Sequence, residues 1–253
     1  MAKAKGAARV VLLHGLGGSK EDWDDVRARL PRSLEVLALD LPGAPGGPKP
    51  AEGYDPASLA AWLAAELLRS KGGACVLAGH SLGARVAGEL AAERPELVSR
   101  LVLVSPLGAA PYSLAEKLKW KAMSRRAILE SVPEASMRSA AGHGFAADGP
   151  GKRGFVARAL AARTGKDASA VVRAVEKSVD GVLEAPPLSK RLAGTRMPLL
   201  VVSGALDPLT PPASARAIEK ARPDAKYFEL QGIGHYPMLE DPARMAQILE
   251  GLA

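Results

Sequence analysis

A single cysteine, Cys75, stands among 253 residues. No intrachain disulfide can form from it, and no cysteine-based metal site is expected. Aromatic residues make up 4% of the chain, too few to build a stacking platform for single-stranded nucleic acid, so no nucleic-acid partner is expected. Apolar residues reach 47%, yet no window approaches the roughly eighteen continuous apolar residues of a membrane span, and no transmembrane segment is expected. There is no internal repeat. The basic start Met1-Ala2-Lys3-Ala4-Lys5 precedes Val10-Val11-Leu12-Leu13. That run is too short for a secretory signal and passes into His14-Gly15 without a cleavage pattern, so a cytoplasmic location is expected.

The net charge of +7 is unevenly placed. Residues 107–191 hold 15 Lys/Arg against 8 Asp/Glu, and the remainder holds 19 of each sign. The basic balance belongs to one segment.

What the chain does contain is alternation. Apolar, strand-like runs occur at Ala8–Leu13, Leu34–Leu39, Ala74–Ala78, Arg100–Val104, Pro198–Ser203 and Lys226–Leu230. Helical patterns lie between them. A capping box at Ser19–Asp22 opens one with Trp23, Val26 and Leu30 on a face, and Asp55-Pro56 opens another with Leu59, Leu63 and Leu67. Strands alternating with helices predict a doubly wound, mainly parallel α/β sheet of about six strands. From Leu107 to Pro187 the rhythm breaks into polar, basic, helix-patterned sequence, with Val171, Val175, Val179 and Val182 at helical spacing. The expected organisation is therefore a core of residues 1–106 and 188–253, with 107–187 inserted as a helical lid.

Gly79-His80-Ser81-Leu82-Gly83 follows one of the strand-like runs and opens a helical pattern. A turn this tight lifts a serine hydroxyl clear of the strand end, and small residues at Gly79 and Gly83 let strand and helix pack closely. A serine needs a base, itself oriented by an acid. Asp207 and His235 each lie just past a later strand, where the carboxyl ends of a parallel sheet line one edge. The loop His14-Gly15-Leu16-Gly17-Gly18 after the first strand can aim the Leu16 backbone N–H at the serine, and the Leu82 N–H supplies a second oxyanion donor.

These motifs, with Glu240-Asp241-Pro242 after the histidine, resemble the α/β-hydrolase superfamily over nearly the whole chain. The resemblance implies residues 107–187 as a cap over an acyl pocket. About seven residues precede the first strand, so the two amino-terminal strands of the larger family fold are expected to be absent. Gly43-Ala44-Pro45-Gly46-Gly47 also departs from the family's Gly-x-Gly-x-Ser loop. The implied activity is serine hydrolysis of an ester or thioester through a Ser81–Asp207–His235 triad, with no metal or organic cofactor. The implied partner is a small-molecule substrate; an anionic acyl donor drawn by the basic lid is weighed against solvated helix faces. Two other classes stand beside it. One is a lyase resembling a pyruvate-eliminating synthase, in which Arg85 matches a substrate-binding arginine; the other is a ligand-binding protein without turnover. His14 and His80 are expected to support the motifs rather than react, His143 to be a solvated loop residue, and Trp23, Trp62 and Trp120 to be packing residues.

Overall fold

In the computed structural model, residues 9–125 and 133–252 are described, except for the side chain of Met137. Six strands form one sheet: β1 (Arg9–Leu13), β2 (Glu35–Leu39), β3 (Cys75–His80), β4 (Val98–Val104), β5 (Leu199–Gly204) and β6 (Lys226–Leu230). All pairings are parallel, in the order β2-β1-β3-β4-β5-β6. The expected six-stranded α/β architecture is what is observed.

The strands read as continuous apolar runs because both faces are covered. Val11, Leu13, Leu77, Leu101, Leu103 and Val201 point to one layer, where α2 (Pro56–Arg69) and α3 (Leu82–Glu93) pack. Their neighbours Val10, Leu12, Val76, Ala78, Val102 and Val202 point to the other, against Trp23, Val26 and Leu249. The two-residue period of a strand thus sorts one sequence into two cores.

Local signals shape the helix ends. Asp55 caps α2 by accepting from the Ser58 N–H at 3.0 Å, with Pro56 at the first helical position. The Ser19–Asp22 capping box is present, but the helix it opens is shorter than expected. It is a 3-10 turn (Lys20–Trp23) followed by a single turn, α1 (Asp24–Arg27). Pro31 disfavours helical geometry at Leu30, which lies beyond the helix yet remains buried.

Between β4 and β5 the described residues contain only helices: α4 (Leu114–Ser124), α5 (Glu134–Gly142), α6 (Pro150–Thr164), α7 (Ala168–Glu184) and α8 (Leu188–Leu192). On α7, Val171, Val179 and Val182 are buried and Val175 is half-buried. After β5 come α9 (Pro212–Ala221), then β6, α10 (Pro237–Glu240) and α11 (Pro242–Glu250). No described helix is long and apolar enough to cross a membrane.

Chain order reverses between β1 and β3: the chain runs outward from β1 to β2, then returns to β3 on the other side. In open parallel sheets a crevice forms outside the strand ends at this point. The loops after β1 and β3 border it.

Candidate active site

Ser81 occupies the turn from β3 to α3 with φ 51° and ψ −111°. A non-glycine residue there costs about 1–3 kcal/mol, and the surrounding structure holds it in place. The Ser81 N–H donates to Val104 O at 2.9 Å, and Ser81 O accepts from Arg85 N–H and Leu107 N–H. The flanking glycines are required by space. A Cβ on Gly79 would sit 2.2 Å from Gly83 O, and one on Gly83 would sit 2.4 Å from His14 O.

His235 and Asp207 meet as expected. His235 Nδ1 lies 2.8 Å from Asp207 Oδ2, with both side chains essentially removed from solvent. A carboxylate can only accept, so Nδ1 carries a proton and directs it to Asp207. The carboxylate is fully engaged: Oδ1 accepts from the N–H groups of Leu209 and Thr210, and the Thr210 hydroxyl lies 2.8 Å from Oδ2. Burial pushes the Asp207 pKa up, but the bonds from His235 and Thr210 outweigh it and hold the group below the usual carboxylate value.

The loop after β1 lies against the serine. A Cβ on Gly15 would come within 3.1 Å of Ser81 Cβ and 2.6 Å of His80 Nδ1. Leu82 is the first residue of α3, where a helix leaves its N–H groups without intrahelical acceptors. His14 anchors the loop. Its Nε2 accepts from Leu41 N–H at 3.0 Å, so its Nδ1 is the protonated nitrogen and donates to Gly15 O at 2.7 Å. His80 Nε2 donates to His235 O at 2.8 Å, and the two rings meet edge-on with centroids 4.7 Å apart. Burial, then the neighbouring His235, holds the His80 pKa well below the ordinary histidine value. Both histidines position backbone. His143, at the end of α5, is exposed.

Above these loops lies a cavity of about 340 Å³ whose walls include Leu16, Trp120, Phe155, Val175, Val179 and Tyr236. Leu16 comes from the loop beside Ser81, and Tyr236 follows His235. Trp23 and Trp62 pack into the cores, but Trp120 also faces the cavity, a departure from its expected role as packing alone.

The sequence profile of the "Alpha/beta hydrolase family" matches residues 10–248. The chain belongs to the alpha/beta hydrolase family. A pimeloyl-[acyl-carrier protein] methyl ester esterase of Aromatoleum aromaticum is 31% identical over 255 residues, covering 95% of this chain and 96% of that protein. Two solved structures share the fold. A thermophilic esterase from Thermogutta terrifontis has TM-score 0.81 and 21% identity, over 97% of this chain and 89% of that one. A hydrolase from Pseudomonas aeruginosa PA01 has TM-score 0.82 and 21% identity, over 99% and 91%. Family membership and the esterase relative support a hydrolase.

Several side chains of this alpha/beta hydrolase have roles that sequence did not single out. Arg85 is fully buried and does not face the cavity. It pairs with Glu89 at 3.2 Å and donates to Pro186 O at 2.8 Å, with Gly108 O at 3.5 Å. Its guanidinium therefore braces the two ends of the helical segment, and the substrate-binding role considered for it has no geometric support. The i,i+4 spacing of Arg85 and Glu89 was the available signal. Thr210 supports Asp207, and Gly144 O accepts from His235 N–H at 2.6 Å. Glu240 accepts from the N–H groups of Gly234, Tyr236 and Ala146. Thr210 and Gly144 carry no local motif, and the Glu240-Asp241-Pro242 motif did not by itself reveal these three donors.

Proposed function

We propose that this protein is a serine hydrolase that cleaves a carboxylic ester or thioester through an acyl-enzyme on Ser81. The observation that carries the reading is the buried 2.8 Å contact of His235 Nδ1 with Asp207 Oδ2, at the same sheet edge as the strained Ser81. His235 Nε2 takes the Ser81 proton as Oγ attacks the carbonyl carbon, and Asp207 stabilises the imidazolium that forms. The oxyanion is received by the N–H groups of Leu16 and Leu82. The imidazolium then protonates the departing alcohol or thiol. Water, activated by the same nitrogen, cleaves the acyl-enzyme and restores Ser81.

Residues 107–187 serve in this reading as a lid, and the 340 Å³ cavity beneath it as the acyl pocket. The Asp22–Arg158 contact at 2.7 Å ties the 3-10 turn that follows the Leu16 loop to α6. A fluorophosphonate should label the wild-type protein and inhibit turnover of p-nitrophenyl esters, while Ser81→Ala should neither label nor turn over. Ester hydrolysis by folded Ser81→Ala would overturn the assignment. So would a wild-type protein that resists the label and cleaves no ester.

A further inference from the structure

Much of the basic excess between β4 and β5 is answered locally. Arg125 meets Glu176 and Asp180, Arg138 meets Glu134, Lys152 and Arg153 meet Asp148, Arg158 meets Asp22, and Lys177 meets Glu52. Arg163, on α6, differs from all of these. It is the charged side chain among the described residues lining the 340 Å³ cavity, where its neighbours include Trp120, Val172 and Val175. Among the described residues nothing hydrogen-bonds or ion-pairs with its guanidinium. Burial lowers its pKa.

Arg163 is half-buried, and a guanidinium partly withdrawn from water without an anion carries a cost that a well-placed counter-charge offsets. Arginine's planar fork matches a carboxylate in a bidentate pair. The remaining walls suit methylene groups. At about 30 Å³ per water-sized group, the cavity has room for roughly eleven of them.

We propose that Arg163 is the carboxylate receptor of the pocket, so that the preferred substrates are esters or thioesters whose acyl chain ends in a free carboxylate. This rests on the reading of Ser81 as the nucleophile and deepens it. The diffuse charge of the lid is not the recognition element; a single unpaired cation within an apolar wall is.

The test compares two ester series of equal length, monomethyl esters of dicarboxylic acids from succinate to sebacate against methyl esters from butanoate to decanoate. For the best chain length, wild-type kcat/KM should favour the carboxylate-bearing ester at least tenfold. Arg163→Met should reduce that ratio at least tenfold, and because the ratio is internal to each protein, a partly folded variant still reports it. Binding of 6-hydroxyhexanoate and 1,6-hexanediol, neither of which can be hydrolysed, is measured in parallel by calorimetry. The acid should bind at least tenfold tighter, and Arg163→Met should erase the difference. Equal treatment of the two series by the wild type, or a preference that survives in Arg163→Met, would overturn the proposal. If no ester of either series is turned over and the fluorophosphonate does not label the protein, the Ser81 reading falls, while the binding comparison still decides Arg163.

Discussion

Glu240 offers the most discriminating perturbation. Its Oε1 accepts from Gly234 N–H and Tyr236 N–H, each at 3.1 Å, and those residues flank His235. Its Oε2 accepts from Ala146 N–H at 2.9 Å, in the segment between β4 and β5. The Gly234 and Tyr236 bonds are partly buried, whereas Ala146 is exposed and its N–H can turn to water. Hydrogen bonds to a charged acceptor contribute about 1.5–3 kcal/mol each. Glu240→Ala, orphaning two partly buried donors, should lower unfolding free energy by about 3 kcal/mol. Glu240→Gln can keep its amide oxygen toward Gly234 and Tyr236 while presenting its NH₂ to Ala146, two donors facing each other. Its cost should be about 1 kcal/mol. Since His235 rides on the anchored loop, a shift of about 1 Å should reduce kcat/KM on the order of 100-fold in the alanine variant. The glutamine variant should lose much less. Urea titration and ester kinetics on the three proteins read both effects. An alanine variant within about 0.5 kcal/mol of wild type, or Gln and Ala variants that behave alike, would refute the account.

Two further outcomes follow from the packing around Ser81. Gly15→Ala places a methyl 2.6 Å from His80 Nδ1 and 3.1 Å from Ser81 Cβ; overpacking of this kind costs about 1–3 kcal/mol. Thermal denaturation should show that loss, and kcat/KM should fall more than the folded fraction does. His80 is depressed in the folded state, so its contribution is present above the unfolded value of about 6.5 and is lost as pH falls below it. Between pH 7.5 and 5.5 this group should remove stability, at most about 1.4 kcal/mol. His80→Gln should show a pH-dependent loss smaller by about that amount in urea titrations, and an unchanged loss would contradict the assignment.

Much of the fold was legible because the sheet is buried on both faces. Runs such as Arg9–Leu13 and Leu199–Gly204 stand out without reference to anything distant. The placement of Ser81, Asp207 and His235 was legible for a related reason: each follows a strand, and parallel strands deliver their ends to one edge. Helix extent was less so, since Leu30 keeps the expected spacing yet falls past the single turn of α1 before Pro31. Least legible were roles that exist only through tertiary pairing. Arg163 is one of fifteen cations in residues 107–191, and only the ion pairs of its neighbours distinguish it. Arg85 lies on α3, which could as well have turned it outward; burial against Glu89 and Pro186 was decided by elements far away in sequence. Glu240 belongs to a motif visible in the sequence, but its role shows only when three backbone donors converge on it.

The two stems of the segment between β4 and β5 meet at one place. Leu188 N–H donates to Gly108 O at 2.8 Å and Ser189 N–H to Ala109 O at 3.1 Å, with Arg85 bracing Pro186 beside them. Such a hairpin-like neck closes the segment at its base, and the entropy of closing it grows only with the logarithm of the length threaded between its ends. Length can therefore vary between Leu114 and Glu184 at little entropic cost, provided that the ties of Gly144 to His235, Ala146 to Glu240 and Arg158 to Asp22 are kept. In the proposed reading of residues 107–187 as a lid, the neck lets the walls of the pocket change while both ends of the segment stay fixed beside Arg85.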